Sequence, residues 1–208
     1  AAWYSIEHEI PIYVDNIQHL KVKLTGVFNH SHKPNVLAYT SLDKFPKDSN
    51  LNISILLDVL NRAEHTSLER PDVLYLQLDN AADNKNQFLL GFAYLLVYTN
   101  VFRKVKISFL MVGHTHEDID QVFSRVSVSL AKQHILSRHK LEEEITKSYT
   151  QPDGITVRRM KQTGKWKTWL QDELKMQSIK GITDFRVFKF ERDDQGRVRC
   201  WGKENMRT

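Results

Sequence analysis

Two apolar runs of strand length, residues 73–78 (VLYLQL) and 105–112 (VKISFLMV), flank residues 87–98 (QFLLGFAYLLVY). That middle segment is apolar almost throughout and too long for a strand, so it reads as a buried helix. Strand, helix, strand in this order places the two strands parallel, because a helical crossover returns the chain to the same end of a sheet. The run Val73 to Leu78, entered after Pro71, suits a buried central strand. In sheets of this kind ligands gather at the carboxyl ends of the strands.

The same alternation extends in both directions. Residues 19–29 set Leu20, Val22 and Leu24 against Lys21, Lys23 and Thr25, a period-two strand. Residues 35–41 (NVLAYTS) form a second strand, and the turn-rich HSHKPN between them makes the pair a hairpin. Residues 50–62 place Leu51, Ile55, Leu56, Val59 and Leu60 on one helical face, with Asp48 or Ser49 as the cap. Residues 116–132 carry Ile119, Val122, Phe123, Val126 and Leu130 at helical spacing, and Thr115 with Asp118 fits a capping box at the start. The order is strand, strand, helix, strand, helix, strand, helix, which defines an α/β domain with helices packed on a partly parallel sheet.

Beyond Lys132 the pattern weakens. Residues 136–149 read as a charged helix or linker, and Gln151-Pro152-Asp153-Gly154 as a turn. Residues 165–176 are helical, with Trp166, Trp169 and Leu170 on one side. Residues 185–190 and 197–201 flank Asp193-Asp194-Gln195-Gly196 as a β-hairpin. The expected organisation is a core over 1–135, a helical linker over 136–150 and a small basic α+β region over 151–208.

Composition narrows the partners. No apolar run approaches the ~20 residues that span a bilayer, so no membrane partner is expected. Cys200 is the single cysteine, which excludes an internal disulfide framework and a Cys-based zinc finger within this stretch and suits a reducing compartment. The net charge of +5 is uneven: residues 151–208 hold 14 Lys/Arg against 8 Asp/Glu, whereas residues 1–150 hold 16 against 17. A basic stretch beside a near-neutral one is compatible with a polyanion, and equally with a solvated surface. Arg158, Arg159, Lys165 and Lys167 with Trp166, Trp169 and Trp201 form a mixture that stacks bases and neutralises phosphates. Tryptophans at helical spacing are more often the core of a small subdomain, and that reading is the favoured one.

Two stretches carry chemistry. Asp79 ends the first apolar run, where a fixed backbone aims a carboxylate, and Asn80, Asn84 and Asn86 follow. Metal-assisted phosphoryl chemistry needs such an aimed carboxylate, and Mg2+ keeps several waters, so few protein ligands suffice. The plainer reading of Asp-Asn…Asn-Lys-Asn is a turn and a helix cap. In Gly113-His114-Thr115-His116-Glu117-Asp118-Ile119-Asp120, two imidazoles and three carboxylates fall within seven residues, more than capping needs. Acids also decorate a first helical turn for electrostatic reasons. His116 and Asp120 lie four apart on one side of the helix, and Asp120 is the strongest candidate. His114 and His116 alternatively form a zinc pair, the basis of a zinc-dependent hydrolase.

Leu74 to Asn80, then Asn84-Lys85-Asn86, then Val112 to Asp120 with Phe123-Ser124 together resemble an uncharacterised domain of eukaryotic transposon-derived proteins, believed to be integrase-like and RNase H-like. Leu24-Thr25-Gly26 and Ser49-Asn50-Leu51 share the resemblance, which covers about residues 15–132. It implies an RNase H-like mixed sheet with flanking helices and a transposase-type activity, cleavage or strand transfer at a DNA phosphodiester with Mg2+ or Mn2+. Asp79 and Asp120 match the second and third acidic residues of that fold, as catalytic and metal-binding groups. Asn80, Asn86, His114 and His116 are expected to position phosphate or to orient the carboxylates. DNA is the implied partner and the nucleus the implied location. The first acidic residue of the fold sits on a strand ahead of the hairpin. Residues 1–15 look like the connection after that strand, so the stretch is expected to lack it and to be an incomplete, inactive core. The alternative function is a non-catalytic nucleic-acid-binding or protein-interaction module.

Overall fold

The computed structural model describes residues 20–31, 36–66, 71–110, 118–150, 154–174 and 179–204. In chain order the elements are β1 (Val22–Phe28), β2 (Val36–Leu42), α1 (Ser49–Thr66), β3 (Val73–Leu78), α2 (Gln87–Tyr98), β4 (Lys104–Phe109), α3 (Asp118–Leu130), α4 (Arg138–Ser148), β5 (Ile155–Arg159), α5 (Trp166–Glu173), β6 (Val187–Arg192) and β7 (Val198–Lys203). The chain is mixed α/β with two mixed sheets and, among the described residues, five helices. It divides into two compact units: Ala1–Pro46 with Thr115–Gln162, and Lys47–His114 with Thr163–Thr208.

In the first unit β1 and β2 are antiparallel, with Val22 opposite Leu42 and Phe28 opposite Val36, as expected of the hairpin. β5 adds to β2 in parallel, Val36 opposite Ile155. The sheet buries Leu24, Val36, Ala38 and Ile155 against Ile119, Val122, Phe123, Val126 and Leu130 of α3 and Leu141 and Ile145 of α4. All five α3 residues are those expected from the helical spacing. Gly26 lets α3 approach β1, because a Cβ there would run into the Phe123 ring and lie 3.0 Å from Ile119 Cδ1.

Glu142 of α4 pins this unit's sheet to its helix. Its carboxylate accepts from Thr40 Oγ1 (2.8 Å), Arg138 Nε (3.0 Å) and Arg159 Nε (2.7 Å). Burial pushes its pKa up, but the bonds from Arg159 and Thr40 and the two guanidinium charges outweigh burial and leave it below the usual carboxylate range.

In the second unit β3 and β4 are parallel, Val73 opposite Lys104 and Leu78 opposite Phe109, as the α2 crossover requires. β6 pairs antiparallel with β4, and β7 with β6. Leu76, Leu78, Val105, Ile107, Phe109, Phe188 and Phe190 are buried on one face of this sheet, and α2 packs on β4 and β6. Trp166 of α5 meets Phe92 of α2 edge-on, and its Nε1 donates to Ser54 Oγ of α1 at 3.1 Å. Asp48 caps α1 by accepting from the backbone of Asn50 and Leu51.

Two sequence expectations need correction. β3 is not a central strand: among the described residues it ends its sheet, and Tyr75 and Gln77 are exposed. Only Leu74, Leu76 and Leu78 turn inward, so the apolar run is an amphipathic strand whose outer positions are Val73 and the polar-tipped Tyr75 and Gln77. The second correction is β5, a strand where only a turn and basic residues were expected. β1 likewise ends its sheet among the described residues. The expected absence of a strand ahead of the hairpin concerns residues outside the described ones. No helix among the described residues is long and apolar enough to cross a membrane.

Candidate functional site

The chain leaves β3 at Leu78, whose carbonyl accepts from Leu110 N, and the next side chain is Asp79. Its Oδ1 accepts from Ala81 N (3.1 Å) and from Asn84 Nδ2 (2.6 Å). Asn84 is wholly buried, and its Oδ1 accepts from Nδ2 of Asn52 in α1 at 2.8 Å. Asn52 is buried too, and its amide also donates to Asp83 O at 3.1 Å. A buried amide left without a partner costs about 1–3 kcal/mol, so this chain of bonds locks each member's orientation. The Asp79 carboxylate is therefore held by one oxygen. Among the described residues no hydrogen bond or ion pair reaches the other, Oδ2.

Asn86 does different work. Its Oδ1 accepts from Phe88 N, Leu89 N and Ser49 Oγ, and its amide donates to the carbonyls of Ala82 and Asp83. It is the N-cap of α2, and its polar atoms are spent on that task. Asn80 is half-buried, and its Oδ1 is buried without a hydrogen bond from any described residue.

The same end of the sheet carries two cations. Lys85 Nζ donates to Thr183 O at 2.7 Å and lies 5.6 Å from the centre of the Phe109 ring. Burial lowers its pKa, the nearby Arg186 guanidinium lowers it further, and Asp184 opposes both. Arg186 precedes β6, its carbonyl accepts from Phe109 N at 2.8 Å, and its Nη1 is buried without a hydrogen bond from a described residue. Leu78 and Phe109 face each other across the ladder, so Asp79, Lys85 and Arg186 share the carboxyl end of β3 and β4. An aimed carboxylate and two cations at the same strand ends are chemistry suited to a phosphoryl group.

The other expected residues are distributed differently. Asp120 is half-buried in the first turn of α3 and belongs to the first unit, whereas Asp79 belongs to the second. His114 and His116, and with them the zinc reading, lie outside the described residues. Among the described residues no three His, Cys, Asp or Glu side chains gather as a metal site. Arg158 and Arg159 lie on β5 in the first unit, and Arg159 is committed to Glu142. Lys165 and Lys167 lie at the start of α5 in the second unit, and Lys167 pairs with Asp48 at 3.1 Å. Sequence reasoning missed Asn52, Lys85 and Arg186. Asn52 carried a signal: it shares the apolar stripe of Ile55, Leu56 and Val59, where a polar residue must find a buried partner.

Fold and site together define a mixed α/β chain that presents an oriented carboxylate at the end of a parallel strand. It belongs to the family described as Domain of unknown function (DUF7869), which matches residues 13–207. No curated protein and no solved structure matches the chain.

Proposed function

We propose that this is a transposon-derived, integrase-like domain that works on DNA phosphodiesters by metal-dependent cleavage or strand transfer, with Asp79 as a metal-ligating carboxylate. The clamp on Asp79 is the observation that carries the reading. Asn86 alone suffices to cap α2, so the buried Asn52 and Asn84 are surplus to a helix start and serve to aim Asp79.

Hard carboxylate oxygen fits Mg2+ or Mn2+, and an ion that keeps several waters needs few protein ligands. When bound, such an ion supplies charge stabilisation at the phosphoryl oxygens. The chain's own contribution at this strand end is to hold the Asp79 oxygen still and to keep the Lys85 ammonium at the same end of the sheet. Asp120 is the second carboxylate on which the reading depends, and DNA as partner places the protein in the nucleus.

The test uses the full-length parent with Mn2+ and labelled DNA. Asp79→Ala and Asp120→Ala are each expected to abolish cleavage, and cleavage retained in either variant refutes the assignment. The second reading is a non-catalytic nucleic-acid-binding or protein-interaction module. Its signature is salt-sensitive binding unchanged by Asp79→Ala, with no cleavage by the parent.

A further inference from the structure

The sheet of the second unit has one apolar face and one open face, and the open face is ordered. Register places Tyr75 opposite Lys106, Lys106 opposite Lys189, and Lys189 opposite Trp201. Side chains directly opposite one another project from the same face. A single row therefore crosses all four strands as aromatic, lysine, lysine, aromatic. Tyr75 is 68% exposed and Trp201 45%, whereas the alternate residues Leu76, Ile107 and Phe188 are buried.

Charge on this face is one-sided. The next row holds Lys104, Glu191 and Arg199 in register. Glu191 is the one carboxylate among these rows, and Lys104 (2.7 Å), Lys189 (3.1 Å) and Arg103 (3.3 Å) all share it. The Lys104 bond and the adjoining ammonium groups keep Glu191 below the usual carboxylate range, so it stays ionised and fully used. Arg199 is paired with Asp193 in the turn. Lys106 has no carboxylate partner among the described residues; its ammonium lies 5.4 Å from the centre of the Tyr75 ring. Lys189 lies over the Trp201 ring at 4.0 Å.

Cross-strand contacts between lysine and ring stabilise the sheet, but they leave Tyr75 and Trp201 exposed at both ends of a row in which Lys106 has no carboxylate partner among the described residues. A folded protein partner of ordinary composition would require acidic groups matched to this row. A strand of nucleic acid carries both complements, flat bases for the rings and phosphates for the lysines. We propose that the open face of β3, β4, β6 and β7 binds single-stranded nucleic acid, with Tyr75 and Trp201 stacking two bases and Lys106 between them neutralising phosphate. The two rings stand three inter-strand spacings apart, about 14 Å, so they take different bases. Duplex is disfavoured because its bases are already stacked. The proposal does not depend on Asp79 or on metal.

The experiment is fluorescence anisotropy of the 208-residue chain with labelled oligothymidylate, oligouridylate and a duplex of equal length, in EDTA. Single strands are expected to bind more tightly than duplex. Tyr75→Ala and Trp201→Ala should each weaken binding about tenfold. Trp201→Phe, which keeps a ring, should restore most of the loss. Lys106→Gln should lower the slope of log affinity against log salt by about 0.7. The DNA and RNA arms decide which nucleic acid is preferred. Binding is read in EDTA, where no metal-dependent cleavage runs, so failure of the catalytic reading and failure of this one are separable. Equal binding by parent, Tyr75→Ala and Trp201→Ala, duplex binding as tight as single-strand binding, or no binding at all overturns the proposal. Capture of an acidic protein through Trp201 without nucleic-acid binding does so as well.

Discussion

Asn84→Ala tests whether the amide chain behind Asp79 is a clamp. The substitution removes a 2.6 Å bond to a carboxylate and the 2.8 Å bond from Asn52. Hydrogen bonds to charged groups contribute about 1.5–3 kcal/mol and neutral ones about 1 kcal/mol. Asn52 keeps its bond to Asp83 O, so only half of its amide is orphaned. The expected loss is roughly 3 kcal/mol, against the ~5–15 kcal/mol that holds an ordinary domain together, so the variant stays folded. Urea unfolding followed by tryptophan emission reports mainly on the right unit, because Trp166, Trp169 and Trp201, three of the four tryptophans, lie in the second one. A cycle with Asp79→Ala isolates the bond itself and is expected to return about 1.5–3 kcal/mol of coupling. A loss under ~0.5 kcal/mol, or coupling indistinguishable from zero, refutes the clamp and returns Asp79 to the status of a turn residue.

Two further perturbations probe the first unit. Gly26→Ala places a methyl group inside the Phe123 ring's envelope, which costs about 1–3 kcal/mol of overpacking; Phe123→Leu in the same chain should recover part of the melting temperature. Glu142 has a depressed pKa in the folded chain, so its stabilisation is complete above its ordinary value near ~4.3 and is lost as pH falls through the lower folded value. Protection factors of the β2 and β5 amides, which remove the intrinsic pH dependence of exchange, should fall over that acid range in the parent and change little with pH in Glu142→Gln.

The elements that sequence made legible are those with internal periodicity. The parallel pairing of β3 and β4, the bounds of α2 and the buried face of α3 all follow from apolar spacing within one segment. What stayed hidden depends on pairing across long separations. β5 is short, and its Arg158 and Arg159 read as surface charge until the ladder with β2 makes them strand residues. That β6 adds to β4 could not be read from either segment, because the antiparallel register is a property of the pair. The open basic face was invisible for the same reason: Tyr75, Lys106, Lys189 and Trp201 span more than a hundred positions and meet only through three ladders. Asp79 was legible because a strand end and a turn signature coincide within one short stretch. Its clamp was not, since Asn52 comes from a different helix.

The buried amides discriminate between a structural and a functional account of the strand end. Replacing both partners of a buried hydrogen bond by apolar groups of similar shape is nearly neutral, so an Asn52–Asn84 pair is poorly explained by stability alone. Nor does α2 need it, since Asn86 already satisfies Phe88 N and Leu89 N. What the pair uniquely does is donate a hydrogen bond to Oδ1 of Asp79 from a group that cannot rotate away. A carboxylate fixed at one oxygen loses little further freedom when a ligand engages the other, which is the energetic advantage of a preorganised site. Orientation is thus supplied by folding, before any ligand arrives. The same reasoning separates Asp79 from Asp118 in the α3 first turn, which is exposed and whose charge is accounted for by the helix N-terminus.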